Sequence, residues 1–291
     1  MIKAHDSLRA ATLGAMFIGA ALTGCGDQRS GDAGSAIIGE ARQGSLTVAL
    51  PQAVANVKII DARLPGRPLV VIDPGHGGRD PGAAGVSGTV MEKALTLQMA
   101  RELRDLLAKR GRVRIALTRD RDVYLDLEQR AAIARQLGAS LFISLHADSA
   151  PNPLARGATV YSLSEVASDA DAARFARAEN VAGGAVSSER EGSVRALLAD
   201  VAYRDQMNAS ADLAARIVSK SAGRVDLRPE PHRFAAFHVL RRAETPSVLF
   251  EAGYLSNVDD EAMLLSSPRR ARIVAALAAT IEADLAKREA R

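Results

Sequence analysis

From Arg67 onward the chain alternates short apolar runs with longer segments of helical periodicity. The first run, residues 69–73, is almost wholly apolar, which is typical of a strand buried on both faces of a parallel sheet. Residues 92–109 follow with apolar side chains on one helical face and Gly111 just beyond the end. This alternation predicts an α/β fold: a single domain with a mostly parallel, six-stranded twisted sheet and helices on both faces.

The remaining elements follow from the same patterns. A short β segment is expected within residues 45–62, at the edge of the sheet or in a hairpin. Further helices are predicted at residues 127–137, 168–180, 208–221 and 264–287. Further strands are predicted at residues 113–117, 140–145, 158–162, 237–240 and 247–251.

The N-terminus has the features of an export signal. Lys3 and Arg9 precede an apolar stretch, residues 10–22, that is too short for a permanent membrane span. It ends at a Leu-Thr-Gly-Cys sequence that resembles a bacterial lipoprotein processing site, so residues 1–24 are predicted to be a lipoprotein signal peptide. Cys25, the only cysteine, would carry the lipid and attach the chain to a membrane. A plain signal peptide with an incidental cysteine is the alternative.

Local sequence and overall composition indicate the location, the domain bounds and the class of partner. Gly26 after the lipidated cysteine favours the periplasm-facing outer membrane of the cell envelope if the host is Gram-negative. Residues 25–66 are expected to be a flexible tether with the short β segment, and residues 67–288 the catalytic domain. Aromatic residues make up 3% of the chain, the net charge is only +4 and no dense basic run occurs, which argues against nucleic acid as a partner.

Polar side chains lie where three predicted strands end. His76 follows the first strand among glycines that permit tight turns, His146 follows residues 140–145, and Glu251 ends the last strand. A carboxylate at the end of an apolar strand is costly unless it is paired, protonated or near a metal. Ligand sites of open α/β sheets lie beyond such strand ends. Two histidines and a carboxylate can hold zinc and leave one position for water, and a second carboxylate can act as base.

Glu92 has two interpretations. Thr89 and Glu92 have the spacing of a capping box, with Thr89 as the N-cap of the helix. A carboxylate in the first turn also points out of the helix start toward the expected site. His232 and His238 are expected to pack or to line the groove, and residues 80–82 to form a turn.

Five stretches together closely resemble the zinc-dependent N-acetylmuramoyl-L-alanine amidases of cell separation, in order and in separation. The resemblance covers roughly residues 68–286 and implies hydrolysis of the bond between N-acetylmuramic acid and the L-alanine of the peptidoglycan stem peptide. It also implies one zinc ion held by His76, Glu92 and His146, with Glu251 as the catalytic acid/base. The stretches are residues 71–78, 92–93, 117–119, 144–148 and 250–257.

Residues 180–207 resemble an insertion that, in regulated relatives, forms a helix blocking the zinc groove until an activator of the LytM-like type displaces it. Glu189 or Glu191 would then reach the open zinc position. The alternative is a surface loop and helix without a regulatory role. Two other functions stay open: a zinc peptidase acting on another wall peptide, and a non-catalytic wall-binding protein with an amidase fold. Retention of all four site residues argues against the second.

Overall fold

The computed structural model describes residues 57–182 and 194–290. The predicted signal peptide, Cys25 and most of the expected tether lie outside these ranges, as do Glu189 and Glu191. Within them, no helix is long and apolar enough to span a bilayer.

Within these ranges, seven strands form one sheet. They are β1 (Ile59–Ile60), β2 (Leu69–Pro74), β3 (Arg114–Leu117), β4 (Leu141–His146), β5 (Ala158–Leu163), β6 (Leu227–Ala235) and β7 (Ser247–Glu251). Their order is β1-β3-β2-β4-β7-β5-β6. Strands β3, β2, β4 and β7 run parallel, whereas β1 is antiparallel to β3 and β5 is antiparallel to β7. Because β5 reverses direction, the starts of β5 and β6 lie at the edge where β2, β4 and β7 end.

Helices cover both faces of the sheet. They are α1 (Glu92–Arg110), α2 (Leu127–Gln136), α3 (Ala170–Ala182), α4 (Val194–Ser221), α5 (His238–Arg242), α6 (Val258–Leu265) and α7 (Ser267–Glu289). Successive side chains of β2 enter opposite cores because a strand alternates its faces. Val70 and Ile72 pack with α1, α4 and α7, while Leu69 and Val71 pack with α2, α3 and α5. The single mostly parallel α/β domain predicted from the sequence is confirmed, with seven strands in the described part of the chain instead of six.

The additional strand, β6, carries Pro229 and Pro231, which argue against a strand in sequence reasoning. Proline is tolerated here because β6 lies at the edge of the sheet. The strand predicted at residues 237–240 is wrong: Phe237 is the N-cap of the short helix α5. Its apolar run reflects burial, since Phe237 and Leu240 are fully buried. A short apolar run alone does not separate a strand from a buried helix.

Three helix boundaries also differ from expectation. Helix α3 begins two residues later than predicted, and α4 extends the helix predicted at residues 208–221 back to Val194. The closing helix is two helices, because Ser266 is extended and Pro268 occupies the first turn of α7.

Candidate metal and catalytic site

Two histidines meet beyond the ends of β2 and β4. The strands pair in parallel, so His146 at the end of β4 and His76 in the loop after β2 come together with ring centroids 4.9 Å apart. His76 has a positive φ of 59°, a conformation uncommon outside glycine. A Cβ on Gly75 would collide with the imidazole of His146. The glycine therefore permits the close approach of the loop to the second histidine.

Glu92 is fully buried between the two rings. Its Oε2 lies 3.1 Å from His76 Nε2 and its Oε1 lies 3.1 Å from His146 Nδ1. The backbone N–H groups of Ala83 and Ala147 donate to the same carboxylate, each at 2.9 Å. The capping-box interpretation is wrong. Helix α1 begins at Glu92, its N-cap is Met91 instead of Thr89, and the Met91 side chain makes no capping hydrogen bond.

A second carboxylate, Glu179 of α3, reaches the same place and was missed by sequence reasoning. Its Oε1 lies 3.9 Å from His76 Nε2, and its Oε2 lies 3.7 Å from His146 Nδ1. Ligand atoms of His76, His146 and Glu179 all lie within 4.8 Å of one another. The available signal was helical spacing: Glu179 continues the stripe of the buried residues Ala172 and Phe175, where a carboxylate is unexpected.

The donor set fits a zinc ion. Imidazole nitrogens and carboxylate oxygens are the ligands that zinc accepts, and His76 Nε2 is buried without a hydrogen-bond partner among the described residues. Burial opposes a charge on His76, but Glu92 and Asp80, with Glu179, outweigh it and raise the pKa of His76 to about 11. Burial likewise opposes the charge on Glu92, yet His76 and His146 hold its pKa well below the usual value. The site therefore favours a positive charge between these side chains.

Asp80 orients His76. The Nδ1–H of His76 donates to Asp80 Oδ2 at 2.9 Å, and the Gly82 N–H donates to Asp80 Oδ1 at 3.1 Å. The turn expected at residues 80–82 is therefore also a support for the site. Because Nδ1 is engaged, Nε2 is the nitrogen that faces Glu92 and Glu179.

Two buried arginines fix the loop that carries His76. Arg130 of α2 pairs with Asp73 at 2.8 Å and donates to the carbonyl oxygens of Pro74 and His76, both at 2.7 Å. Arg119 donates to the Gly75 carbonyl oxygen at 2.7 Å. Backbone carbonyls of a turn that would otherwise be buried without partners are thus satisfied by cationic donors, which hold the loop in one conformation.

Glu251 lies beside His146, because the two residues pair in the register of β4 and β7. The carboxyl group is fully buried. Its Oε2 accepts the Asp148 N–H at 3.0 Å, and its Oε1 has no partner among the residues described. Burial, with the neighbouring carboxylates of Asp148 and Glu92, raises the pKa of Glu251 well above its usual range. A carboxyl group with a raised pKa holds a proton more readily than an ordinary carboxylate does, as a general acid/base requires.

The other two histidines within the described residues, His232 and His238, lie outside this cluster. His232 Nε2 contacts Ser162 Oγ at 2.8 Å on the far strands β5 and β6, and His238 begins α5. With α3 in place, the cavity beside the paired histidines measures about 20 Å³ and is also lined by Glu179 and Phe237. That volume is enough for about one water-sized group.

Comparison with known proteins identifies one family. Residues 70–283 match the family model Amidase_3, described as N-acetylmuramoyl-L-alanine amidase. The chain is 35% identical over 218 residues to the N-acetylmuramoyl-L-alanine amidase AmiA of Escherichia coli K12, covering 73% of this chain and 74% of AmiA. It is 34% identical over 222 residues to AmiC of Neisseria meningitidis, covering 74% of this chain and 52% of AmiC.

Solved structures give the same result. The catalytic domain of the amidase CwlV from Bacillus (Paenibacillus) polymyxa is similar with a TM-score of 0.52 and 28% identity, covering 74% of this chain and 96% of that domain. AmiC2 of Nostoc punctiforme, also an N-acetylmuramoyl-L-alanine amidase, is similar with a TM-score of 0.53 and 27% identity, covering 78% of this chain and 99% of AmiC2.

Proposed function

This chain belongs to the Amidase_3 family of N-acetylmuramoyl-L-alanine amidases, and from that premise we propose that it hydrolyses peptidoglycan. The bond cut is the amide between N-acetylmuramic acid and the L-alanine of the stem peptide, as the names of its relatives state for them. The observation that supports this reaction is the convergence of His76, Glu92 and His146 beside a buried, unpaired carboxyl oxygen of Glu251.

His76, Glu92 and His146 would hold one Zn²⁺, His76 through Nε2 and His146 through Nδ1. When bound, zinc would polarise the scissile carbonyl and lower the pKa of water to near 7. The protein contributes the orientation of the ligands. Asp80 fixes the ring of His76, and the N–H groups of Ala83 and Ala147 fix the carboxylate of Glu92.

Glu251 would act as the catalytic acid/base. Its Oε1 is free to accept the proton of the attacking water, while the Asp148 N–H holds Oε2 in place. The same carboxyl group would then donate that proton to the nitrogen of the leaving L-alanine. The raised pKa of Glu251 suits this proton donation. A more basic carboxylate keeps the proton that it has taken up until the leaving nitrogen accepts it.

Replacement of Glu251 tests this assignment. Glu251→Gln should lower the rate about 10²–10⁴-fold, which is the usual effect of a positioned acid/base, while the variant still binds one zinc ion. Dye release from labelled peptidoglycan measures the rate, and elemental analysis of the purified variant measures zinc. Chelator-treated wild type is the control. Full activity in the zinc-loaded variant would contradict the proposed role.

Mass analysis of the released fragments separates the amidase from a zinc peptidase acting on another wall peptide. The amidase releases intact stem peptides that begin with L-alanine and leaves glycan strands that retain the lactyl group. A peptidase would leave L-alanine on the glycan. This outcome depends on which bond is cut and not on the rate, so a weakly active preparation is sufficient.

We further propose that α3 holds the enzyme inactive at rest. The carboxylate of Glu179 lies within 4 Å of both histidines, so it would supply a fourth ligand to a bound zinc ion, and catalytic zinc sites keep their fourth position for water. The small cavity left under α3 is consistent with an obstructed site. Among the described residues, the carboxylate that reaches the histidines from this helix is Glu179. That Glu189 or Glu191 would reach the open zinc position stays a prediction. An activator of the LytM-like type would act by displacing α3.

The names of two further relatives indicate where those proteins act. Two similar staphylococcal proteins are named probable cell wall amidases. We propose that this chain acts at the cell envelope, with the lipid on Cys25 as its membrane attachment.

A further inference from the structure

A groove separate from the histidine cluster lies at the same edge of the sheet. Its walls come from the start of β5, the turn before β6 and the junction of α6 with α7, and its volume is about 490 Å³. We call it the arginine groove. Its charged lining consists of Arg156, Arg224, Arg269, Arg272, Asp226 and Asp259, with the buried Asp260 at its base.

The arginine groove is connected to the catalytic side chains through the backbone. Asp260 Oδ2 accepts the N–H of Tyr254, three residues beyond Glu251, and the N–H of Gly157. Thr159 lies opposite Glu251 in the register of β5 and β7. Arg156 precedes Thr159 by three residues, which places it at most about 10 Å along the chain from the level of Glu251.

The charges of the groove are open to a ligand. Arg224, Arg269 and Arg272 are exposed, and within residues 57–182 and 194–290 none of them forms an ion pair. Arg156 pairs with Asp259 at 3.1 Å, but both side chains are exposed, so this pair contributes little and can exchange partners. Guanidinium groups bind carboxylates with two parallel hydrogen bonds, and the aspartates offer acceptors to an ammonium group.

We propose that the arginine groove binds the second and third residues of the peptidoglycan stem peptide, an inference that rests on the proposed amidase function. In the stem peptide L-Ala–D-isoGlu–meso-diaminopimelate, which we take as the ligand, the second residue has a free α-carboxylate and the third has a charged side chain. An extended peptide places these residues about 7–10 Å beyond the L-alanine nitrogen. That reach is comparable with the upper limit of about 10 Å on the offset of Arg156 from the level of Glu251 along the chain. A mixture of arginines and aspartates suits a ligand with charges of both signs.

A binding measurement tests the proposal directly. The probe is the free tripeptide L-Ala–D-isoGlu–meso-diaminopimelate, titrated into the zinc-loaded full chain by calorimetry. The double variant Arg269→Gln/Arg272→Gln should bind it at least about tenfold more weakly, because two charge-assisted contacts are lost. The matched control, Arg104→Gln/Lys109→Gln on α1, also removes two positive charges and should bind as wild type does. Equal affinity in wild type and the groove variant would overturn the proposal, as would no binding to wild type at millimolar tripeptide.

An activity measurement separates this proposal from the proposed function. In a Glu179→Gln background, which removes the competing carboxylate, the groove variant should lose about tenfold in kcat/KM on N-acetylmuramoyl tripeptide. It should keep its rate on N-acetylmuramoyl-L-alanine, which does not reach the groove. An equal loss on both substrates would overturn the groove assignment. A protein that binds the tripeptide through these arginines but cuts neither substrate would contradict the amidase function alone.

Discussion

At the scale of single residues, the two ring nitrogens of His76 make different contacts. Nδ1 donates to Asp80, and Nε2 faces Glu92. Removing such a carboxylate behind a metal-binding histidine typically lowers metal affinity about 10–100-fold, because the ring loses its fixed orientation and part of its basicity. We expect Asp80→Ala to weaken zinc binding by this factor, and Asp80→Asn to weaken it less because the amide oxygen still accepts from Nδ1. Competition with a zinc-binding dye measures the affinity.

Asp122 provides the matched control for Asp80. It contacts the same loop, accepting the Gly78 N–H at 2.6 Å, and pairs with Lys93 at 2.8 Å, but it does not contact His76. Asp122→Ala should therefore keep the zinc affinity of wild type. If both alanine variants lost affinity equally, Asp80 would act by holding the loop and not by orienting the histidine.

At the scale of elements, the sequence predicted those strands and helices whose pattern is set by burial. The uniformly apolar strands β2, β4 and β7 and the one-sided helix α1 were found because their residues face the core on both sides or on one. The edge strand β6 and the short helix α5 were missed, since prolines and brief apolar runs do not report which neighbour an element packs against. The same limit explains why the sequence left Glu92 with two interpretations and missed Glu179. The positions of both side chains depend on contacts with residues distant in sequence.

Aromatic contacts and two side-chain hydrogen bonds are among the interactions that attach helix α3 to the domain. The ring of Phe175 packs 5.3 Å from those of Tyr161 and Phe237, measured between centroids. One turn later, the Asn180 side chain donates to the Ala236 carbonyl oxygen and accepts the His238 N–H, both at 2.8 Å. Asn180 adjoins Glu179, so these two hydrogen bonds hold the carboxylate against the histidines.

Loss of this attachment should activate the enzyme. Asn180→Ala removes two hydrogen bonds of about 1 kcal/mol each, which should raise activity without a partner about 5–30-fold. Dye release from labelled peptidoglycan measures the increase, with zinc content and circular dichroism confirming a folded, loaded enzyme. Arg177→Ala, an exposed change on the same helix, should leave activity unchanged. Unchanged activity in Asn180→Ala, or an equal rise in Arg177→Ala, would count against inhibition by α3.

At the scale of the whole molecule, the site exists only when the sheet is assembled. Its histidines and carboxylates come from the loop after β2, the start of α1, the end of β4 and the end of β7. The parallel pairing of β2, β4 and β7 brings these ends to one edge, where the reversed β5 adds the arginine groove. Chemistry and substrate contacts are therefore expected to be properties of residues 57–182 and 194–290, whereas the proposed attachment to the envelope would depend on Cys25.

Because the predicted attachment and the catalytic site involve different parts of the chain, a change at Cys25 should separate location from activity. Expressed as the full chain in a Gram-negative host, the protein should incorporate labelled palmitate and fractionate with membranes. Cys25→Ser should lose the label and appear in the soluble fraction, while the purified variant hydrolyses peptidoglycan at the rate of wild type. Palmitate-free, soluble wild type would contradict lipidation. Lower activity of the purified variant would mean that Cys25 also serves the catalytic domain, which its distance in sequence from every proposed site residue argues against.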